Sequence, residues 1–443
     1  MPTDFRAQFE RDYDRSIFST PVKRLQDKAQ VFPLEPNDAI RTRLTHSLEV
    51  AAVARGLATG VASWLHELKA ICHEQQRWIE AIAATCGLIH DLGNPPFGHA
   101  GEDAMREWFV QRITACDGSW ANSQHRQDFL NFEGNAQTLR LVSKLQILAD
   151  FYGLNLTFGT LSAACKYTAA SHQTKTGNQA FKKPGYFASE SDVIKEVRQA
   201  TGTGEARNPI TFLVEAADDM VYSVADIEDA VKKGLLRWSD LMERFKLIID
   251  EPTHPAKPAI LAVLKIKKKI LGEPSEATEK AMADDTHGAA FRTAAIAYMA
   301  PEVVNAFKEN YDAIMLGEHL TELVDHPALR DLVKELKNIG KERVYPNKST
   351  VKLELMGRKI IGDLMSFFWE GAQIMPLIGD PIANDFKGRI CTLLSRNYRE
   401  VFQESCRLRA LPEIYHRYQL VTDYVCGMTD TFATQLHSEL MNG

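Results

Sequence analysis

The sequence predicts an all-α protein. Apolar residues recur at helical spacing through most of the chain, and long alternating stretches of the kind strands require are absent. The strongest periodic run, ITFLVEAADDMVYSVADIEDAV over 210–231, follows Pro209, a residue well suited to the first turn of a helix. With 443 residues, 45% of them hydrophobic, the chain can bury a large core as one domain or two. A formal net charge of −6 gives no global basic field for nucleic acid or membrane surfaces. No apolar run approaches the length of a membrane span, and the charged N-terminus does not read as a signal peptide. The seven cysteines are scattered without a CxxC, which predicts reduced thiols in a cytoplasmic protein and no zinc ribbon. No GxxxxGK[ST] or GxGxxG phosphate loop is present.

In order, residues 1–20 predict a charged arm docked on the body or on a neighbouring subunit. Pro21 opens a short helical stretch ending near Pro33. Ile40–Leu57 is helical, with Arg43 and His46 near its start. A polar segment over Ala62–Trp78 leads into a buried helix that stops at His90–Asp91, with Gly93 as its terminator. Pro95 and Pro96 hold an extended loop, and His99 and Glu102 stand three apart where the next helix begins. Asp117–Asp128 reads as loop, Asn131–Gln137 (NFEGNAQ) as a turn into a helix, Thr160–Ala170 as helix, and Lys175–Gly204 as an irregular, substrate-facing excursion. On the helix after Pro209, Asp218, Tyr222 and Asp226 are spaced i, i+4, i+8 and so share one face. Loop-rich Asp250–Ala259 and Gly272–Gly288 bracket the basic run AILAVLKIKKKIL. The remainder is helical by period, interrupted by a strand or turn at Val344–Val351.

His46, His90, Asp91 and Asp218 are ionisable residues set inside apolar helices, a costly placement unless they are paired or bind a metal. Two imidazoles and two carboxylates form a mixed nitrogen and oxygen set suited to Mn²⁺, Fe²⁺, Mg²⁺, Co²⁺ or Zn²⁺. No spacing rule links residues drawn from three helices, and a histidine on an apolar helix is more often a satisfied core residue. Bland readings exist for the others too. Glu102 suits a helix N-terminus, Lys166 a solvated surface, and Tyr167 and Tyr222 a core or rim. Asp226 falls in a run with Glu228 and Asp229 that reads as a solvated face, and Arg43 reads as a surface residue on a first turn.

Larger motifs separate these readings. Arg43–His46, His90–Asp91 and Asp218 resemble the H…HD…D signature of the HD-domain metallophosphohydrolases. QVFPL (30–34), RTRLTHSLEV (41–50), HDLGNPPFGHAGE (90–102), NFEGNAQT (131–138), KY (166–167), GYFASE (185–190), AADDMVYSVADIEDA (216–230) and LVTDYVCGMTDTFA (420–433) resemble, in order, the deoxyguanosine triphosphate triphosphohydrolase (dGTPase) family. The resemblance implies an HD-domain helical core over 36–235, an N-terminal arm and sugar-contact segment over 1–35, and a C-terminal helical region over 236–443. It implies hydrolysis of dGTP or other dNTPs to deoxynucleoside and tripolyphosphate, with attack at the α-phosphorus. His46, His90, Asp91 and Asp218 match the ligands of one divalent cation per subunit, Mn²⁺ or Mg²⁺ first and Fe²⁺, Co²⁺ or Zn²⁺ as alternatives. His99 and Glu102 match the catalytic pair, and Arg43, Asn94, Lys166 and Tyr222 the phosphate contacts, with Tyr167 beside Lys166. Gln30, Val31 and Asp226 fall where the family contacts the sugar, and Tyr222 also packs there.

The resemblance further implies a homo-oligomer, a hexamer or tetramer. Lysine-rich Lys265–Lys269 leaves single-stranded DNA open as an auxiliary ligand, beside the bland reading of a charge run as a solvated face, and no membrane partner is expected. TAASHQ after Tyr167 departs from the family pattern, so the loop over Thr174–Phe187 differs around phosphate or base. Arg389, Arg396 and Arg399 are candidate base contacts in a neighbouring subunit. A phosphatase or phosphodiesterase acting on monophosphates or cyclic nucleotides needs the same four ligands without NPPFGHAGE or NFEGNAQ. A catalytically dormant nucleotide sensor would not need His99 and Glu102 intact.

Overall fold

The computed structural model describes residues 6–113, 123–146 and 152–441. Helices α1 (Gln8–Phe18) and α2 (Thr20–Arg24) lead through an irregular segment into α3 (Arg43–Glu67), α4 (His73–Ile89) and α5 (Gly98–Ile113). Short α6 (Ser123–Leu130), α7 (Gly134–Arg140) and α8 (Phe158–Ala164) follow. A parallel pair of strands, β1 (Ala169–Ala170) and β2 (Pro184–Tyr186), with Ala169 opposite Pro184, precedes α9 (Ser191–Thr201) and the long α10 (Pro209–Lys232). Then come α11 (Trp238–Asp250), α12 (Lys257–Ile270), α13 (Glu276–Lys280), α14 (Asp284–Glu309), α15 (Tyr311–Met315) and α16 (Arg330–Ile339). The chain closes with α17 (Lys348–Ala372), α18 (Phe386–Leu393), α19 (Arg396–Leu408), α20 (Glu413–Cys426) and α21 (Asp430–Met441). The all-α expectation holds, with one two-stranded exception among the described residues.

Two apolar cores form, and neither follows chain order. One gathers around α3, α10 and α14 through residues such as Val50, Leu57, Met220, Val224 and Met299. The other gathers α5, α17 and α20 through Trp108, Phe109, Phe368 and Tyr418. Helix α4 joins them: Ala83 and Cys86 face the first core, Leu88 and Ile89 the second. The loop leaving α4 therefore emerges at the seam, where both cores fix its position.

Local signals explain the key elements. Thr42 caps α3 and exchanges hydrogen bonds with Thr45. Asn208 accepts from the Ile210 N–H at 3.0 Å, with Pro209 following it, and starts α10. Helix α3 corrects one expectation, because its 25 residues are long and apolar enough to cross a membrane by length and composition. Its interruption by Arg43, His46 and Arg55 hides that length from a scan for uncharged runs, and in the fold it packs against α4, α10 and α14.

Other boundaries also differ. After Arg24 the stretch from Pro21 is a single 3-10 turn (Leu25–Asp27), and Ala29 then forms an isolated bridge with Thr42. The loop expected over Asp117–Asp128 falls partly outside the described residues, and from Ser123 onward it is α6. The helix expected to Ala170 stops at Ala164, because β1 pairs with β2. The excursion over Lys175–Gly204 contains β2 and α9. Val344–Val351 is the end of a π-helical turn (Gly340–Val344) and the start of α17, with no strand. Gly93 does not terminate α4, which ends at Ile89; a Cβ there would lie 2.1 Å from the Gly134 carbonyl oxygen, so close packing on α7 explains the glycine.

Candidate active site

The residues singled out above line one cavity of about 480 Å³, a volume typical of small-molecule sites. His46 is the exception: it lies beneath the floor, almost fully buried, with Nε2 3.1 Å from Asp218 Oδ1. The first turn of α3 supplies Arg43 and His46, the end of α4 His90 and Asp91, and α10 Asp218, Tyr222 and Asp226. The segment after α8 brings Lys166 and Tyr167, and the bridge strand before α3 brings Gln30 and Val31.

His46, His90 and Asp218 offer donor atoms that lie within 4.8 Å of one another. His90 Nδ1–H donates to the Gly87 carbonyl at 2.7 Å, which leaves the Nε2 lone pair directed inward. That Nε2 is buried without a hydrogen-bond partner, 3.6 Å from Asp218 Oδ1 and 3.7 Å from Asp91 Oδ2. An orphaned imidazole lone pair facing two carboxylates is the environment a divalent cation fits. Asp91 sits at the edge of this set. Its Oδ1 accepts from Asn94 Nδ2 at 2.6 Å and its Oδ2 from Arg43 Nη1 at 2.5 Å. Burial pushes the Asp91 carboxyl up, but Arg43 and His90 outweigh it and hold the group at about 2. Asp218 is likewise held far below the carboxylate range by His90 and His46 against its burial.

His99 lies in the first turn of α5 and Glu102 three residues further along it. Glu102 is 3% exposed and accepts from the Gly134 N–H at 2.8 Å and from Arg106 at 3.2 Å. His99 is the opposite: its side chain is 94% exposed, with Nδ1 3.4 Å from Glu102 Oε2. The hydrogen bond to Glu102 raises the His99 pKa above its ordinary 6.5. Burial pushes Glu102 up, and His99 and Arg106 reverse that and bring it below its ordinary value.

The cations already have partners. Arg43 is buried against Asp91, Lys166 Nζ lies 2.5 Å from Glu215, and Lys183 Nζ lies 2.9 Å from Glu133. The solvated-lysine and surface-arginine readings are therefore corrected. So is the solvated-face reading of α10, since Asp226, Glu228 and Asp229 are all 3% exposed. Arg41 bridges Glu228 and Asp229, while Asp226 accepts from the Tyr345 hydroxyl at 2.6 Å. Burial pushes the Asp226 carboxyl up to about 7, against the pull of that hydroxyl.

Several lining residues escaped the sequence reading: Tyr345, Glu215, Glu133, Lys183, Thr350 and Glu354. Glu215 stands three residues before Asp218, so a three-residue step back along the same helix face would have found it. Tyr345 and Lys183 carry no local signal; only the fold brings them in. Arg389, Arg396 and Arg399 do not line this cavity, and Arg396 and Arg399 pair with Glu400 and Asp380.

Residues 43–124 match the HD domain and residues 324–439 match the phosphohydrolase-associated domain. The chain is 38% identical over 451 residues to a deoxyguanosinetriphosphate triphosphohydrolase-like protein of Listeria innocua, covering 99% of this chain and 94% of the relative. It is 31% identical to a protein of the same description from Synechocystis (98% and 94% covered). To a deoxyguanosinetriphosphate triphosphohydrolase of Yersinia pestis it is 30% identical (98% and 93% covered). With similarity to these relatives over nearly its full length and the HD domain matched, this chain belongs to the deoxyguanosine triphosphate triphosphohydrolase family of HD-domain proteins.

Proposed function

We propose that this protein hydrolyses dGTP or other dNTPs to deoxynucleoside and inorganic tripolyphosphate, water attacking the α-phosphorus. It would do so with one divalent cation per subunit, Mn²⁺ or Mg²⁺ ahead of Fe²⁺, Co²⁺ or Zn²⁺. The observation that carries the reading is the meeting of His46, His90 and Asp218 at a cavity that also holds His99–Glu102, Arg43, Lys166 and Tyr222–Asp226. His46, His90, Asp91 and Asp218 would hold the cation, which when bound polarises the α-phosphoryl oxygen and lowers the pKa of water.

The chain's own residues do the rest. His99, kept protonated by Glu102, gives its proton to the departing 5′-oxygen as water supplies the new oxygen on phosphorus. Arg43, Lys166 and Asn94 exchange their present carboxylate partners for phosphate oxygens, so the triphosphate meets fixed donors. Asp226, with Gln30 and Val31 opposite, accepts the sugar 3′-hydroxyl. Tyr222 and Tyr167 close on the sugar and phosphates, and the Tyr222 ring at C2′ rejects a ribonucleotide by clash.

A homo-oligomer, hexamer or tetramer, fits the exposed apolar run Ile374, Leu377, Ile378, Ile382 and Phe386, since monomers rarely leave such patches uncovered. Auxiliary single-stranded DNA binding would rest on Lys265, Lys268 and Lys269. Lys267 is buried against Glu279 and the Trp238 ring and takes no part. A cytoplasmic setting, with the dNTP pool at hand, belongs to the same reading.

Incubation with Mn²⁺ or Mg²⁺ and each dNTP plus GTP, followed by chromatography, tests the activity. Deoxynucleoside and tripolyphosphate are expected, with GTP left intact. Orthophosphate or pyrophosphate as product would overturn attack at the α-phosphorus, and silence toward single and mixed dNTPs would overturn the activity.

A further inference from the structure

His99 is the proton donor in the reading above, yet little side-chain packing orients it. Its ring is 94% exposed and is held by the 3.4 Å contact with Glu102. Its position must therefore come from the backbone that precedes it. That backbone is unusual, because Phe97 (φ +61°) and Gly98 (φ +56°) are both left-handed. A bulky residue held there is strained and persists only where its surroundings impose it.

Two contacts impose it, and both come from the far end of the chain. The buried Phe97 ring lies against α17 where Gly357 leaves a gap. A Cβ at 357 would stand 2.4 Å from Phe97 Cγ and 2.8 Å from Cδ1. The Phe97 N–H donates to Asp430 Oδ1 at 2.9 Å, and Asp430, the first residue of α21, is 2% exposed. The other carboxylate oxygen accepts from the Ala29 N–H at 2.9 Å, immediately before Gln30. One carboxylate thus ties the His99 turn to the proposed sugar-contact segment.

We propose that Gly357 and Asp430 are positioning residues for His99, α17 providing the notch and α21 the anchor that together set the turn presenting its imidazole. The proposal rests on the triphosphohydrolase reading in taking His99 as the proton donor. It assigns the phosphohydrolase-associated segment a part in completing a site whose metal ligands all lie earlier in the chain.

The test is a cycle of Gly357→Ala, Phe97→Ala and the double variant, with kcat and KM measured on purified full-length protein beside the wild type. A merely structural glycine predicts lower stability from the overlap with the buried Phe97 ring, with kcat unchanged. The positioning role instead predicts a kcat lower by about 100-fold in Gly357→Ala, because a displacement of about 1 Å is enough. KM should stay within about two-fold, since Gly357 does not line the cavity. In the Phe97→Ala background the ring is gone and only the contact with the Cβ of residue 97, at 2.7 Å, remains, so the double variant should lie much closer to Phe97→Ala than the product of the two single effects. Wild-type kcat in Gly357→Ala, or effects that multiply in the double variant, would overturn the proposal.

Should Gly357→Ala fail to fold, Phe97→Ala alone must lower kcat; a wild-type kcat there refutes it. An inactive wild type refutes the triphosphohydrolase reading and leaves the geometry testable by histidine ring resonances. The His99 signal should move in Gly357→Ala and shift back toward the Phe97→Ala position in the double variant. An unmoved signal overturns the positioning role.

Discussion

His90 is prepared for a ligand by a single hydrogen bond. Committing Nδ1–H to the Gly87 carbonyl fixes the tautomer, and burial denies Nε2 any other partner. His99 follows the opposite logic, with an exposed ring whose chemistry is tuned by one buried carboxylate. Because Glu102 raises its pKa, His99 stays protonated to higher pH than a free imidazole, and activity that needs its proton falls as pH rises through a value above 6.5. Glu102→Gln removes the charge that raises it, so this alkaline limb should move to lower pH. His99→Ala should abolish the limb and lower kcat by about 10²- to 10⁴-fold. A pH–kcat profile of the three proteins checks both statements, and an unmoved limb in Glu102→Gln would detach the limb from the dyad.

At the scale of elements, α10 aligns four acidic or phenolic side chains, Glu215, Asp218, Tyr222 and Asp226, along one face, where side chains from other segments meet them. Glu215 takes Lys166, Asp218 the two histidines, and Tyr222 and Asp226 the hydroxyl of Tyr345 at 2.9 and 2.6 Å. Tyr345 arrives through the π-helical turn after α16, which shifts the chain's register before α17 begins. Its hydroxyl pulls the Asp226 pKa down against burial, so Tyr345→Phe should raise it further and leave more of the carboxyl neutral at pH 7. A neutral carboxyl is a poorer acceptor for the sugar hydroxyl. We expect KM for a dNTP to rise by about 5- to 10-fold at pH 7, the loss of one hydrogen bond, and to recover as pH is raised. Steady-state kinetics across pH 6–9 (about three decades in proton activity) would show it, and a pH-independent KM would contradict the role given to Asp226.

Across the whole molecule, a buried ion cluster joins distant parts of the chain. Arg140 of α7 holds Asp423 of α20 at 2.6 Å and Glu190 before α9 at 2.9 Å, and all three are at most 3% exposed. Gln137 adds a 2.9 Å hydrogen bond to Asp423. Such clusters contribute little net stability against apolar replacements, but removing one member strands a buried charge. Asp423→Ala should therefore cost about 3–5 kcal/mol in equilibrium denaturation. Arg140→Met with Asp423→Leu and Glu190→Gln should recover much of it. Equal stability of Asp423→Ala and wild type would show the cluster to be solvated.

How much of this was legible in the sequence follows from range. Helix type, the capped starts of α3 and α10 and the shared face of Asp218, Tyr222 and Asp226 depend on residues within a few turns of one another, and local spacing reveals them. The proposed ligand set and proton-transfer pair rest on long motifs such as HDLGNPPFGHAGE and not on spacing, because the residues come from separate helices. Short strands β1 and β2 were not legible, since two or three residues pair only when a distant partner arrives. Nor were the carboxylate partners of Lys166 and Lys183, the hydroxyl of Tyr345 beside Asp226, or the notch at Gly357 beneath Phe97, each created by packing between segments far apart in the chain. The sequence by itself determined the all-α class, the family and the residues from which the proposed ligand set is drawn. Only the tertiary structure decided how those residues are charged, which of them are buried, and what holds the His99 turn. Burial and partner distance set those properties, and they exist only once the two cores have closed around α4.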